Sequence, residues 1–272
     1  MGETFDGVAS SYRDASKVQK TAGFKLFEKI AIAGHESILD VACGPGHLTK
    51  WMSDQTTGKV VGTDISEAMI EEARKEYPGL EFRRVAAEEL DYVEQFDVVY
   101  CNSALQWFKD GPLATGAMTK ALGKGGKLGV GCPATREFAP WFIHLVKVAA
   151  ERPDIGDTFS HWRNPWFQLP RLEDYVSMFE GAGLQTVSAS IDREVAEYSV
   201  DDAFSVYVAG AARGFAGKDF YDVPVSDDFV VRFNDAIREE MEKDSTDGKV
   251  TVDFNRLYYI GRKPTPDGIT GA

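Results

Sequence analysis

Positive charge is in short supply. The 272 residues hold 30 Lys and Arg against 43 Asp and Glu, a formal net charge of −13. Phosphate-rich partners demand a basic face, so neither nucleic acid nor an anionic membrane is expected as a partner. A local basic pocket for a small acid is still compatible with that balance. Cysteine is also scarce. Cys43, Cys101 and Cys132 are an odd number without metal-ligand spacing, each in or beside an apolar run. They read as buried free thiols in a reducing, cytoplasmic compartment, and no metal site is expected. No apolar run reaches the ~18–20 residues that cross a bilayer. Met1 to Tyr12 lacks a charged-then-apolar leader, so no secretory signal is expected. Repeats, low-complexity tracts and long linkers are absent too. The length suits one large domain or a core plus a cap, as a monomer or homodimer.

What is present is concentrated in one stretch. Ile38-Leu39-Asp40-Val41-Ala42-Cys43-Gly44-Pro45-Gly46-His47 is a short apolar run with a carboxylate, then a small-residue turn, then an amphipathic stretch carrying Leu48, Trp51 and Met52. That order spells strand, tight loop, helix. Glycines let a backbone approach a ligand without Cβ clashes, and the helix start offers unpaired N–H groups. A second apolar run, Lys59 to Thr63, ends in Asp64, roughly 20 residues on, where an acid accepts hydrogen bonds from ribose hydroxyls. Together these predict a nucleoside-binding βαβ unit. A dinucleotide site wants a third glycine to pack helix on strand, but Thr49 stands there and Ala42 fills the first glycine slot. Asp40 is awkward beside a pyrophosphate and suited to an ammonium group.

The pattern continues as alternating strands and helices. It predicts helix Thr21–Ala33, strand Ser37–Val41, helix Leu48–Ser53, strand Lys59–Thr63, helix Ser66–Tyr77 and strand Glu81–Val85. Strand Phe96–Cys101, helix Pro112–Leu122 and strand Gly126–Cys132 follow. After an aromatic stretch come helix Arg171–Gly181, strand Leu184–Ile191, helices Ser199–Phe215 and Ser226–Lys243, and strand Lys249–Arg262. The expected fold is therefore α/β, a doubly wound, mostly parallel sheet with an inserted helical and aromatic cap. Its divisions are an N-terminal helical lid (1–35), a ligand-binding core (36–132), an aromatic cap (133–170), a core helix and strand (171–197), a helical cap (198–248) and a C-terminal strand and tail (249–272). Trp141, Phe142, Phe159, Trp162, Trp166 and Phe167 crowd the long, irregular-looking aromatic cap, either as lid packing or as a cage for a cationic acceptor.

Asp40-x-Ala42-x-Gly44-Pro45-Gly46 resembles the first motif of class I S-adenosylmethionine-dependent methyltransferases. Val61 to Met69, Val85 to Leu90 and Phe96 to Ser103 follow in that family's order. The resemblance implies a Rossmann-like methyltransferase sheet and S-adenosyl-L-methionine as cofactor. By it, Asp40 holds the methionine end and Asp64 the ribose. Ile65 and Met69 sandwich the adenine, with plain helix packing the alternative for Met69. Tyr12 closes over the cofactor carboxylate or simply packs, and Ala42, Gly44, Gly46, Ala87 and Asn102 belong to the same site. The family's acid for the adenine amino group is replaced here by Ala86. Glu88 either substitutes for it or caps a helix.

Asn102-Ser103-Ala104-Leu105-Gln106-Trp107 is similar to a segment of the trans-aconitate, juvenile hormone acid and malonyl carrier-protein methyltransferases. Phe5-Asp6-x-x-Ala9-x-x-Tyr12 and Val18-Gln19-Lys20 are most like the last two, and Asp247 to Leu257 more like the first. The resemblance implies a methyl ester formed on a small-molecule carboxylate, with Gln19 and Trp107 donating hydrogen bonds to it. Both donors are neutral and orient the anion without over-stabilising it. Gln106, Arg136, Arg163, Arg213 and Arg256 are candidates for holding an acidic acceptor, since guanidinium matches carboxylate geometry. His161 is a base if the acceptor is a hydroxyl or amine, and otherwise a packed histidine among aromatics. O-, N- or S-methylation of another metabolite, a non-catalytic nucleoside-binding module and an NAD-linked oxidoreductase stand as alternatives. Residues 133–170 match none of the three groups, so the acceptor's identity does not carry over.

Overall fold

The computed structural model describes the backbone of residues 17–265 and the side chains from residue 20 onward. Tyr12 lies outside the described residues, as does the side chain of Gln19. The first half alternates: α1 (Lys17–Ile30), β1 (Ile38–Val41), α2 (His47–Ser53), β2 (Val60–Asp64), α3 (Glu67–Glu76), β3 (Glu81–Arg84), β4 (Phe96–Asn102), α4 (Gly111–Ala121) and β5 (Leu122–Pro133). The second half runs α5 (Pro140–Ala150), α6 (Pro153–Phe159), α7 (Leu172–Gly181), β6 (Gln185–Ser199), α8 (Val200–Ala209), α9 (Ala211–Phe215), α10 (Asp227–Asp244) and β7 (Lys249–Arg262).

One seven-stranded sheet has the order β3-β2-β1-β4-β5-β7-β6. Strands β1 to β5 are parallel, and β7 is antiparallel to both β5 and β6. The central strands read as apolar runs because both faces are covered. Side chains alternate across a strand, so Ile38 joins Leu26, Val98 and Tyr100 on one face, and Leu39 joins Val61, Val99 and Phe179 on the other. The chain order reverses between β1 and β4, and the crevice beyond their carboxyl ends is where such sheets bind ligands. Caps set the helix starts. Ser66 Oγ accepts from Met69 N at 3.2 Å and Asp110 Oδ1 from Leu113 N at 2.9 Å, each cap contributing about 1 kcal/mol.

Three features differ from the sequence expectation. Strand β6 continues past Ile191 to Ser199, because β7 pairs with it as far as Ser199↔Lys249. The two strands thus leave the sheet as a long ribbon. The helix expected over Ser199–Phe215 is two helices, broken at Gly210, whose φ of −127° and ψ of −85° no helix accommodates. The stretch 136–170 is not irregular throughout, since Pro140 and Pro153 start α5 and α6, where the missing N–H costs nothing. Its aromatics join a second core with α8, α9, α10 and the ribbon, in which Phe159 lies 5.4 Å from Phe233 and 5.7 Å from Trp162. Cys101 and Cys132 are buried and Cys43 half-buried, all as free thiols. Among the described residues no helix is long and apolar enough to cross a membrane.

Candidate functional site

A cleft of about 720 Å³ opens over the carboxyl ends of β1, β2 and β4 and runs under the second core. Its sheet end is made by the loop after β1. Ala42 and Gly44 have φ of 58° and 55°, and Gly46 has φ of 80°. A Cβ on Gly46 would lie 2.8 Å from Phe82 Cζ, so this position accepts only glycine. Around the position of a Cβ on Gly44, by contrast, no atom of the described residues lies within 4 Å apart from its chain neighbours. Asp64 at the end of β2 is held by two backbone donors: Gly44 N reaches Oδ2 at 2.8 Å and Ser66 N reaches Oδ1 at 2.9 Å. Its carboxylate is thereby oriented at the cleft wall.

Ala42, Gly44, Asp64, Ile65, Met69 and Ala87 line this end, with Glu88 and Asn102 further along. Ile65 stays 38% exposed although apolar, and Met69 is buried. Glu88 Oε1 accepts from Lys109 N at 2.9 Å and Asp110 N at 3.3 Å, so it braces the loop before α4. Asp40 is not on the cleft surface. It is 2% exposed beneath the loop, and Thr49 Oγ1 donates to its Oδ2 at 2.6 Å. Burial pushes its carboxyl up to about 7, with the Asp64 charge adding to the rise and the Thr49 hydrogen bond opposing it. Gly46 is likewise buried behind the lining and shapes the turn from below.

The far end is built from scattered segments. Ser103, with φ of 57°, follows β4 and donates its N–H to Gly131 O at 2.6 Å. A short turn of 3-10 helix, Leu105–Trp107, then brings Gln106 and Trp107 to the cleft. Gln106 Nε2 donates to Ser103 O at 2.8 Å, while its Oε1 is buried without a hydrogen-bond partner. Phe167 N donates to Gln106 O at 2.8 Å, tying the cap to this turn. The neighbouring Gln168 lines the cleft, and its Nε2 is also buried without a partner. Arg256 of β7 is 3% exposed. Its Nη1 donates to Ser103 Oγ at 3.2 Å and its Nε has no hydrogen-bond partner. Arg213, half-buried on α9, reaches the same space and donates to Ala209 O at 3.2 Å. The remaining wall is aromatic: Phe138 lies 5.1 Å and Trp107 5.9 Å from Trp166, and Phe142 5.8 Å from Phe254.

The structure leaves His161, Arg163 and Arg136 outside the cleft, all exposed. Around the bridge Trp162↔Tyr221 the chain is extended, so Trp162 turns inward to the second core and its neighbours turn out. Arg163 there forms an ion pair with Asp222. Phe138, Phe254 and Gln168 escaped the sequence reading, which named Phe142 only as one of the cap aromatics. Only Gln168 carried a signal, a lone amide inside Trp166-Phe167-Gln168-Leu169. One end of the cleft thus offers an acid, held in place by backbone donors, for a polar, hydroxyl-bearing ligand. The other offers a guanidinium and two amides beside an aromatic wall.

Residues 38–126 match a methyltransferase domain family. The chain is 28% identical over 246 residues to a trans-aconitate 2-methyltransferase of Variovorax paradoxus, covering 88% of this chain and 91% of that protein. It is 33% identical over 111 residues to a malonyl-[acyl-carrier protein] O-methyltransferase of Acetivibrio thermocellus, 39% of each chain. A solved structure of a proposed methyltransferase from Bacillus halodurans superposes with a TM-score of 0.58 at 21% identity, over 89% of this chain and 98% of that one. These similarities support a class I S-adenosylmethionine-dependent methyltransferase. Within that class the group it resembles is that of the trans-aconitate and malonyl carrier-protein methyltransferases.

Proposed function

We propose that this enzyme methylates the carboxylate of a small organic acid with an apolar body, forming a methyl ester. The observation that carries the reading is the buried Arg256 in a cleft that Gln106, Gln168, Arg213 and the rings of Phe138, Phe142 and Phe254 also line. Guanidinium and amide donors suit one carboxylate. The rings of Phe138, Phe142 and Phe254 suit a hydrocarbon body more than further charges. S-adenosylmethionine, when bound, supplies an electrophilic methyl group on its sulfonium sulfur. Asp64, already oriented, receives the ribose hydroxyls, and Ile65 and Met69 flank the adenine. Asp40 acts from beneath, as a positioning residue that fastens α2 to β1 through Thr49.

The chain's task is then orientation and exclusion of water. Arg256, the Gln168 amide N–H and the Trp107 indole N–H direct the acid, and Trp166 walls off solvent. A carboxylate is ionised well above its pKa near ~4 and needs no base. The cytoplasm is the proposed setting, with a monomer or homodimer equally served. The charge of −13 supports a partner that is not nucleic acid.

The test is a screen of labelled methyl transfer across organic acids, acyl carrier thioesters, phenols, amines and thiols. The expected product is a base-labile methyl ester, with kcat nearly flat from about pH 6 to 9. Trp107→Phe should lower kcat/KM roughly 10-fold with cofactor affinity unchanged. Methylation of only a phenol, amine or thiol would sink the reading.

A further inference from the structure

We propose that Glu194, on the ribbon outside the cleft, is the residue that positions Arg256, and that it ties the acceptor end of the cleft to α1. The inference rests on the reading of Arg256 as the partner of the acceptor carboxylate. Arg256 and Glu194 stand on adjacent strands, where Asp192 is opposite Arg256 in register and Glu194 opposite Phe254. Glu194 Oε2 lies 3.5 Å from Arg256 Nε. Its other oxygen, Oε1, accepts from Tyr258 OH at 2.7 Å and from Lys25 Nζ at 3.0 Å. Lys25 also meets Asp192 Oδ2 at 2.9 Å and lies 4.5 Å over the Tyr258 ring. The result is a row of alternating charges, Asp192, Lys25, Glu194 and Arg256, running from the surface of α1 to a guanidinium with 4% side-chain exposure.

The sum of those four charges is zero. A buried guanidinium with no counter-ion is strongly destabilising, so Glu194 lets Arg256 sit at the cleft while its edge remains available. Ser103 Oγ fixes one Nη, Glu194 faces Nε, and the guanidinium plane is thereby set before a ligand arrives. Pre-set geometry lowers the ordering cost of binding. Two effects of removing the Glu194 charge oppose each other. Simple attraction would rise, because a competing anion is gone. Orientation would be lost. The proposal is that orientation wins.

The experiment uses Glu194→Gln, which keeps shape and the Tyr258 hydrogen bond but removes the charge, with octanoate and 3-phenylpropanoate as acid probes. The acceptor KM should rise about 5–10-fold with kcat and S-adenosylhomocysteine affinity within about 2-fold of the parent. Lys25→Met should move KM the same way by about 3-fold. A second arm needs no acceptor: the Arg256 Nε–Hε signal and its slowly rotating Nη protons, seen by 15N NMR, should be resolved in the parent and averaged in Glu194→Gln. An unmoved Arg256 signal, or a KM that is unchanged or falls, overturns the proposal. If Glu194→Gln does not fold, Tyr258→Phe loosens the same carboxylate and carries both arms. If Arg256→Gln leaves the acceptor KM unchanged, or neither acid is esterified, the carboxylate reading is what fails, and the NMR arm alone decides the role of Glu194.

Discussion

The two ends of the cleft are made of different materials. At the sheet end, backbone N–H groups do the polar work: Gly44 and Ser66 hold Asp64, and the residues involved lie within one βαβ unit. At the cap end side chains do it, and Gln106, Gln168, Arg213 and Arg256 come from four separate places in the chain. Backbone donors stay where the turn puts them whatever the side chains are, so a fixed ligand such as a nucleoside can be served by a short motif. Side-chain donors on separate elements can be exchanged one at a time without disturbing the sheet. The first end is built for constancy and the second for change of acceptor.

The contrast breaks most readily at Asp64. Asp64→Ala removes the acceptor of both backbone donors and the candidate partner of the ribose. It should weaken S-adenosylhomocysteine binding by about 1.5–3 kcal/mol in calorimetry. An unchanged affinity in a folded variant would dissolve the difference between the two ends. A smaller effect is expected at Asp40. Its folded pKa, near 7, is raised above the unfolded value, so the folded protein holds the extra proton between the two values. The stability this lends is present at low pH and is lost as pH rises from about 4 to 7. Asp40→Asn removes that dependence. Against it, the parent should lose about 1–2 kcal/mol of unfolding free energy between pH 5 and 7. A variant and parent that track each other in urea melts across that range would show that Asp40 does not titrate there. The smallest effect sharpens the boundary of the cap end. His161 is exposed and away from the cleft, so His161→Gln should change kcat/KM by less than about 2-fold at every pH. A steep pH-dependent loss would place a base at work and extend the cleft outward.

The same contrast explains how much was legible beforehand. Strands β1, β2 and β4 could be read because parallel strands covered on both faces are continuous apolar runs, and each ends in a chemically marked loop. The tight turn at Gly44 and Gly46 was visible as a cluster of small residues, though not its left-handed backbone. Asp40 was not legible in full. Its position at the strand end was plain, but a carboxylate turned down toward Thr49 and one turned up toward a ligand have the same sequence. Glu88 is similar, since nothing local announces that Lys109 and Asp110 take up its oxygen. The aromatic wall was opaque because Phe142 and Phe254 meet only once α5 and the ribbon are placed. His161 and Arg163 lie outside the cleft because Trp162 between them takes the inward position.

The pairing of Ser199 with Lys249 has a consequence for how such a protein changes over time. The segment between them, with α8, α9 and α10, departs from and returns to one rung of a ladder. It behaves as a graft on a single stem. A different loop of helices joined at that rung would leave every register in the sheet as it is, and would replace Val206, Ala209, Gly210, Ala211 and Arg213 in the cleft lining. The ribbon is therefore a joint at which one wall of the cleft can be exchanged by transplant, without any revision of the stock.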